Sequence, residues 1–105
     1  MVNFYHLSTT NIDNILLTLI ERKNIMARQH HYLKCETEYY QAIELGIKKF
    51  ELRNNDRNFK KYDIVYLEET VNGIKTGRKL PPLEIKYVLL GGKYGLDENY
   101  CIFNW

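Results

Sequence analysis

Gly46-Ile47-Lys48-Lys49-Phe50-Glu51-Leu52-Arg53 begins where a helix should stop and runs directly into a strand. In a strand alternate residues share a face, so Phe50 and Leu52 are expected to form a core pair while Lys49, Glu51 and Arg53 point the other way. Lys48 has the parity of the apolar face, where an unpartnered ammonium is costly. Either the strand begins after it or it enters a polar cleft. A carboxylate at Glu51 would keep Lys48 and Arg53 charged and hold them in place, a construction suited to gripping a phosphate or the edge of a base. The plainer reading is a solvated strand edge carrying a mixture of weak ion pairs.

Upstream of this stretch, Thr37 is positioned to cap a short helix with Tyr39, Tyr40, Ala42 and Ile43 facing inward, and Gly46 falls where a left-handed C-cap is expected. His31 to Cys35 reads as the preceding strand. Residues 1–29 follow a different period. Ile12, Ile15, Leu16, Leu19 and Ile20 recur at helical spacing, with Thr9, Thr10 or Asn11 able to cap the start and Arg22, Lys23 and Arg28 in the C-terminal half. This predicts an amphipathic N-terminal extension over 1–29. It either covers one end of a main domain over 30–105 or serves a protein partner or self-association.

Downstream, Asn54 to Asn58 forms a polar turn, with Asp56 placed to cap it and pair with Arg57; Arg57 is alternatively a phosphate contact. Asp63 to Glu69 alternates as a strand, Asn72-Gly73 marks a hairpin, and Pro81-Pro82 leads into a long strand from Leu83 to Leu90. Gly91 to Gly95 reads as a loop in which Tyr94 could stack on a base, and Tyr100 to Trp105 closes the domain as a strand. The expected class is α+β, with five short strands closing into a small mixed β-barrel.

Composition excludes several classes. The chain has 105 residues, 45% hydrophobic and 27% charged, which suits one folded domain rather than disorder. The longest apolar run is too short to cross a bilayer, no secretory signal opens the sequence, and the expected compartment is the cytoplasm, with no membrane partner. A net charge of +2 is too small to attract nucleic acid by bulk field, so any such site must be a local patch. Nine tyrosines permit base stacking and equally serve a core. Cys35 and Cys101 form no CxxC pair and read as buried reduced thiols. His6, His30 and His31 lack metal-ligand spacing, so no metal or cofactor is implied.

Gly46, Lys48, Glu51 and Arg53 make the pattern G-x-K-x-x-E-x-R, which resembles the signature of the ASCH domains, small barrels related to the PUA fold. The longer stretch from Phe50 to Phe59, with Tyr62-Asp63 and Gly92 to Leu96, is similar to the DUF3850 family, whose members are often encoded by phages and other mobile elements. The resemblance covers residues 30–105. One departure stands at Tyr62, where the family usually has glycine.

The resemblance implies RNA binding, or binding of a nucleotide or modified base, in a cleft lined by Lys48, Glu51 and Arg53, with Lys34 on the adjacent strand. Some ASCH-like proteins are amidohydrolases acting on an acylated cytosine, and there the signature lysine assists a threonine at the position of Glu51. A glutamate does not take that role unchanged. Were this chain an enzyme, Lys48 and Glu51 would be its catalytic pair, with Glu51 as general base. A binding module is the preferred expectation, with ligand contacts at Lys34, Lys48, Glu51, Arg53, Arg57 and Tyr94.

Overall fold

The computed structural model describes residues 4–105, with side chains from Ile12 onward. Helix α1 (Phe4–Met26) is followed by β1 (His30–Glu36), α2 (Thr37–Glu44), β2 (Phe50–Asn54), β3 (Ile64–Val71), β4 (Ile74–Lys79), β5 (Leu83–Glu84), β6 (Tyr87–Leu90) and β7 (Tyr100–Asn104). The strands form two sheets. One has β1 parallel to β3, with β4 and β5 antiparallel to β3; the other is antiparallel in the order β2-β7-β6.

These sheets do not close into the expected barrel. Each of β1 and β2 ends its own sheet, and no ladder joins them. Guanidinium groups fill that seam instead. Arg53 Nη2 donates to the Lys34 carbonyl at 2.9 Å, and Arg57 Nη1 donates to the Tyr32 carbonyl at 3.0 Å.

The core lies between the sheets. Leu33 and Cys35 of β1, Val65 and Leu67 of β3, Cys101 and Phe103 of β7, together with Tyr40, Ile43, Phe59 and Ile85, are buried there. A polar anchor runs beside them. Buried Asp63 accepts hydrogen bonds from the backbone N–H groups of Gln29 and Lys60 and lies 2.8 Å from His31 Nε2. This ties the end of the α1 connection to the start of β1 and β3.

Helix α2 ends as expected. Gly46 takes φ 74°, the Gly46 N–H donates to the Ile43 carbonyl and the Ile47 N–H to the Ala42 carbonyl, a Schellman closure that glycine makes without Cβ strain. Its start differs from expectation. The N-cap residue is Glu36, without a side-chain cap. The Thr37 hydroxyl instead donates at 2.9 Å to buried Glu69, which also receives the Thr76 hydroxyl and Arg78. These donors, Thr76 foremost, hold the Glu69 carboxyl below its ordinary range.

Asn72 (φ 52°) and Gly73 (φ 79°) make the expected hairpin between β3 and β4. The long strand expected from Leu83 to Leu90 is broken. Leu83 and Glu84 pair with β3, the Ile85 N–H donates to the Asp63 carbonyl, and Lys86 N–H then reaches the Asn104 carbonyl so that Tyr87 onward pairs with β7. The chain changes sheets at this corner, a common way of linking two layers.

The described side chains of helix α1 do not cover the domain. Its start at Phe4 lies ahead of the capping residues expected from sequence, and the side chains of Thr9, Thr10, Asn11 and His6 fall outside the described residues. Ile12, Ile15, Leu16, Leu17, Leu19 and Ile20 are each more than half exposed. The extension raises the radius of gyration to 17.6 Å, against about 13 Å for a compact chain of this size. It is joined through Arg28, which pairs with Glu84 at 3.3 Å. Among the described residues no helix is long and apolar enough to cross a membrane.

Tyr62 adopts φ 78° while its N–H donates to the Ile85 carbonyl. Left-handed backbone costs an L-residue about 1–2 kcal/mol relative to glycine. Tyr62→Gly should therefore be more stable than Tyr62→Ala by about 1 kcal/mol, since both lose the ring and only the alanine keeps the Cβ strain. Paired urea denaturation curves measure this difference; equal midpoints would contradict it.

Candidate functional site

Strand β2 is inverted relative to the expectation from its apolar residues. Glu51 is 4% exposed, whereas Phe50 and Leu52 are 49% and 51% exposed on the outer face. The physical reason lies in the partners of Glu51. Its Oε1 accepts Lys48 Nζ and its Oε2 accepts Arg53 Nε at 2.6 Å, so the buried carboxylate is neutralised on both oxygens. A buried carboxylate without such partners would cost several kcal/mol. With them, the polar face of β2 can turn inward.

Lys48 lies before the strand, as one of the two readings of its parity requires. Its ammonium also donates to the Phe50 carbonyl at 2.7 Å and sits 5.5 Å and 5.0 Å from the ring centroids of Tyr39 and Phe50. Tyr39 is accordingly half exposed rather than turned into the core. Lys48 is therefore held on four sides, by a carboxylate, a carbonyl and two aromatic faces.

Arg53 extends the construction. One edge of its guanidinium is fixed by Glu51 and another atom reaches the Lys34 carbonyl on the unpaired edge of β1. Two residues later, Asn55 caps the polar turn by accepting the Phe59 N–H at 2.9 Å. The expected Asp56–Arg57 pairing is absent among the described residues, and Arg57 is directed to the Tyr32 carbonyl instead.

Two cavities flank the guanidinium bridge. The larger, about 650 Å³, has Tyr32, Lys34, Tyr66, Arg53, Arg57 and Lys79 on its walls and reaches the core residues Leu33, Leu67 and Phe59. Lys75 and Glu68 also reach it and pair with each other at 3.2 Å. Its lining carries five cationic side chains against two carboxylates, Asp56 and Glu68, so it attracts anions. The smaller, about 550 Å³, is walled by Lys48, Glu51, Tyr39, Phe50 and Cys35. Lys34 and Arg53 belong to both, which makes the two a connected surface.

Five of the six residues expected at a ligand site thus come together: Lys34, Lys48, Glu51, Arg53 and Arg57. Tyr94 does not. It is 93% exposed on the Gly91–Gly95 loop and lines neither cavity. That loop is shaped by packing, since a side chain at Gly91 would overlap the Asp97 carbonyl.

Burial, with the nearby Glu51 charge, pushes the Cys35 thiol up to about 11, so it stays protonated at neutral pH. Among the described residues no group of three or more His, Cys, Asp or Glu side chains is arranged to hold a metal ion.

Residues 30–105, which contain both cavities and every strand, match the family described as Domain of unknown function (DUF3850). The chain belongs to this family. It is also 36% identical over 55 residues to the "Uncharacterized 12.9 kDa protein in GpA 3'region" of Escherichia phage P2, an alignment covering 52% of this chain and 50% of that protein. The chain thus matches about half the length of that relative.

Within this DUF3850 domain, sequence reasoning missed Tyr32, Tyr66, Lys75 and Lys79 as cavity residues. The parity of Tyr32 with Lys34, and of Tyr66 with Glu68, carried the signal for the first two. Lys75 and Lys79 lie on a fully exposed hairpin strand, where lysines are ordinary solvated surface, so nothing local marked them.

Removing the Glu51 carboxylate leaves two cations beside a vacated buried position. Glu51→Ala is expected to lower the unfolding free energy by about 3 kcal/mol. Chemical denaturation followed by circular dichroism checks this; a loss under 0.5 kcal/mol would show that the ion pairs do not hold β2 in its inverted orientation.

Proposed function

We propose that this DUF3850 protein binds nucleic acid, RNA foremost, or a nucleotide, in the guanidinium-bridged gap between its two sheets. The observation that carries this reading is the bridge itself. Arg53 and Arg57 are fixed by carbonyl oxygens at the mouth of a cavity that also displays Lys34, Lys75 and Lys79. Each guanidinium uses only part of its donor set there, and the remaining N–H groups are preorganised for phosphate oxygens.

The resemblance of Gly46, Lys48, Glu51 and Arg53 to the ASCH signature, and through it to PUA-like barrels linked with RNA, supports the same reading. Hydrolysis finds less support. A general base must reach the proton it removes, and both oxygens of Glu51 are engaged by Lys48 and Arg53.

Nucleic-acid binding in this gap has a salt signature. For single strands, log affinity falls with log salt at about 0.7 per phosphate contacted. Arg57→Ala and Lys34→Ala should each weaken binding of a single-stranded RNA several-fold and reduce that slope by about 0.7. Fluorescence anisotropy titrations across a salt series read both quantities. Wild-type affinity and slope in both variants would place the ligand elsewhere.

A further inference from the structure

The larger cavity contains a feature that phosphate binding does not require. Tyr32 and Tyr66 are directly paired across the parallel strands β1 and β3. Their rings stack at 4.7 Å with planes 8° apart. Tyr66 also stacks on His30 at 5.8 Å and 17°, with its hydroxyl 2.9 Å from His30 Nδ1. Tyr66 is thus the middle of a three-ring column, held by the hydrogen bond at one end and the stack at the other.

Tyr32 is the cavity end of that column and is 68% exposed. Tyr66 covers one face of the Tyr32 ring. The opposite face belongs to a residue on the unpaired edge of β1, where Arg57 donates to the carbonyl of Tyr32 itself and Arg53 to that of Lys34. Among the described residues no other aromatic ring covers that face. A flat, rigid aromatic surface beside fixed guanidinium groups offers the two elements a nucleotide needs: a place for its base and one for its phosphate.

Resting on the nucleic-acid reading above, we propose that Tyr32 is the base-stacking position of the cleft and that the ligand is a single-stranded oligonucleotide. One unpaired base lies on the open ring face of Tyr32, and the flanking phosphates lie on Lys34, Arg53 and Arg57. Tyr66 and His30 are positioning residues that keep the Tyr32 ring upright. The strand must be single because a base inside a duplex is already stacked on both faces and cannot lie on a side chain. It is longer than one nucleotide because the cleft continues past Lys34 and Arg53 into the second cavity of about 550 Å³. Each cavity alone falls in the ~300–1,000 Å³ range that holds one small ligand.

Full-length protein is titrated with fluorescently labelled uridine and thymidine octamers, with a duplex of the same length, and with inorganic polyphosphate as an anion that has no bases. Tyr32→Ala should weaken octamer binding by about 10-fold, within the range found when a stacking aromatic is truncated. It should leave polyphosphate affinity and the salt slope of octamer binding unchanged, because no phosphate contact is lost. Tyr32→Phe should bind like wild type, which separates the ring face from the hydroxyl. The uridine and thymidine arms identify RNA or DNA as the source of the strand. Equal octamer binding by wild type and Tyr32→Ala, or a duplex that binds as tightly as the octamers, overturns the stacking inference and leaves the nucleic-acid reading standing. Wild-type protein that binds none of the octamers overturns both.

Discussion

The carboxylate of Glu51, buried between Lys48 and Arg53, is the constraint from which the rest of the cleft follows. A carboxylate in that position is tolerated only when both oxygens face cations, and satisfying them turns the polar side of β2 inward and the apolar side outward. Arg53, oriented by Glu51, then reaches the free edge of β1 and bonds the Lys34 carbonyl. A seam that a barrel would close with a backbone ladder is closed here by side chains. The result is two sheets around a common core, separated on one side by a cationic gap, rather than a continuous barrel.

Much of the fold was legible because local rules and tertiary packing agreed. The stop of α2 at Gly46, the Asn72-Gly73 hairpin and the alternation of β1 and β3 each rest on backbone chemistry that a short window of sequence carries. The failures have a common cause. Phe50 and Leu52 look like core residues by hydropathy, yet the ion-pair network decides the face of β2, and that network depends on groups brought together in space. The Leu83–Leu90 strand reads as continuous because every residue in it suits a strand, while its break is set by which partner strand lies alongside. Thr37 looks like a cap and is recruited instead by Glu69, a residue 32 positions away. Helix α1 has the apolar spacing of a packed element, but its described apolar residues from Ile12 to Ile20 are exposed.

At the site, pattern was more informative than composition. Lys48, Glu51 and Arg53 stand at fixed intervals and proved to be one connected unit, and Lys34 follows from strand parity. Arg57 was legible as a cation near a turn, although its partner is a carbonyl of β1 and not Asp56. Tyr94 illustrates the opposite case: an aromatic in a glycine-rich loop resembles a stacking residue, whereas the aromatic surface in the cleft is built from Tyr32 and Tyr66 on adjacent strands. Two tyrosines 34 positions apart give no joint signal until β1 and β3 are known to pair in register.

Amide chemical-shift mapping with a single-stranded octamer tests the central claim most directly, because it locates the ligand without altering any residue of the site. The account predicts that the largest shifts fall on Tyr32, Lys34, Arg53 and Arg57, with the Tyr94 loop and α1 unmoved. Shifts confined to that loop or to α1, with the amides of the guanidinium bridge unchanged at saturation, would contradict it.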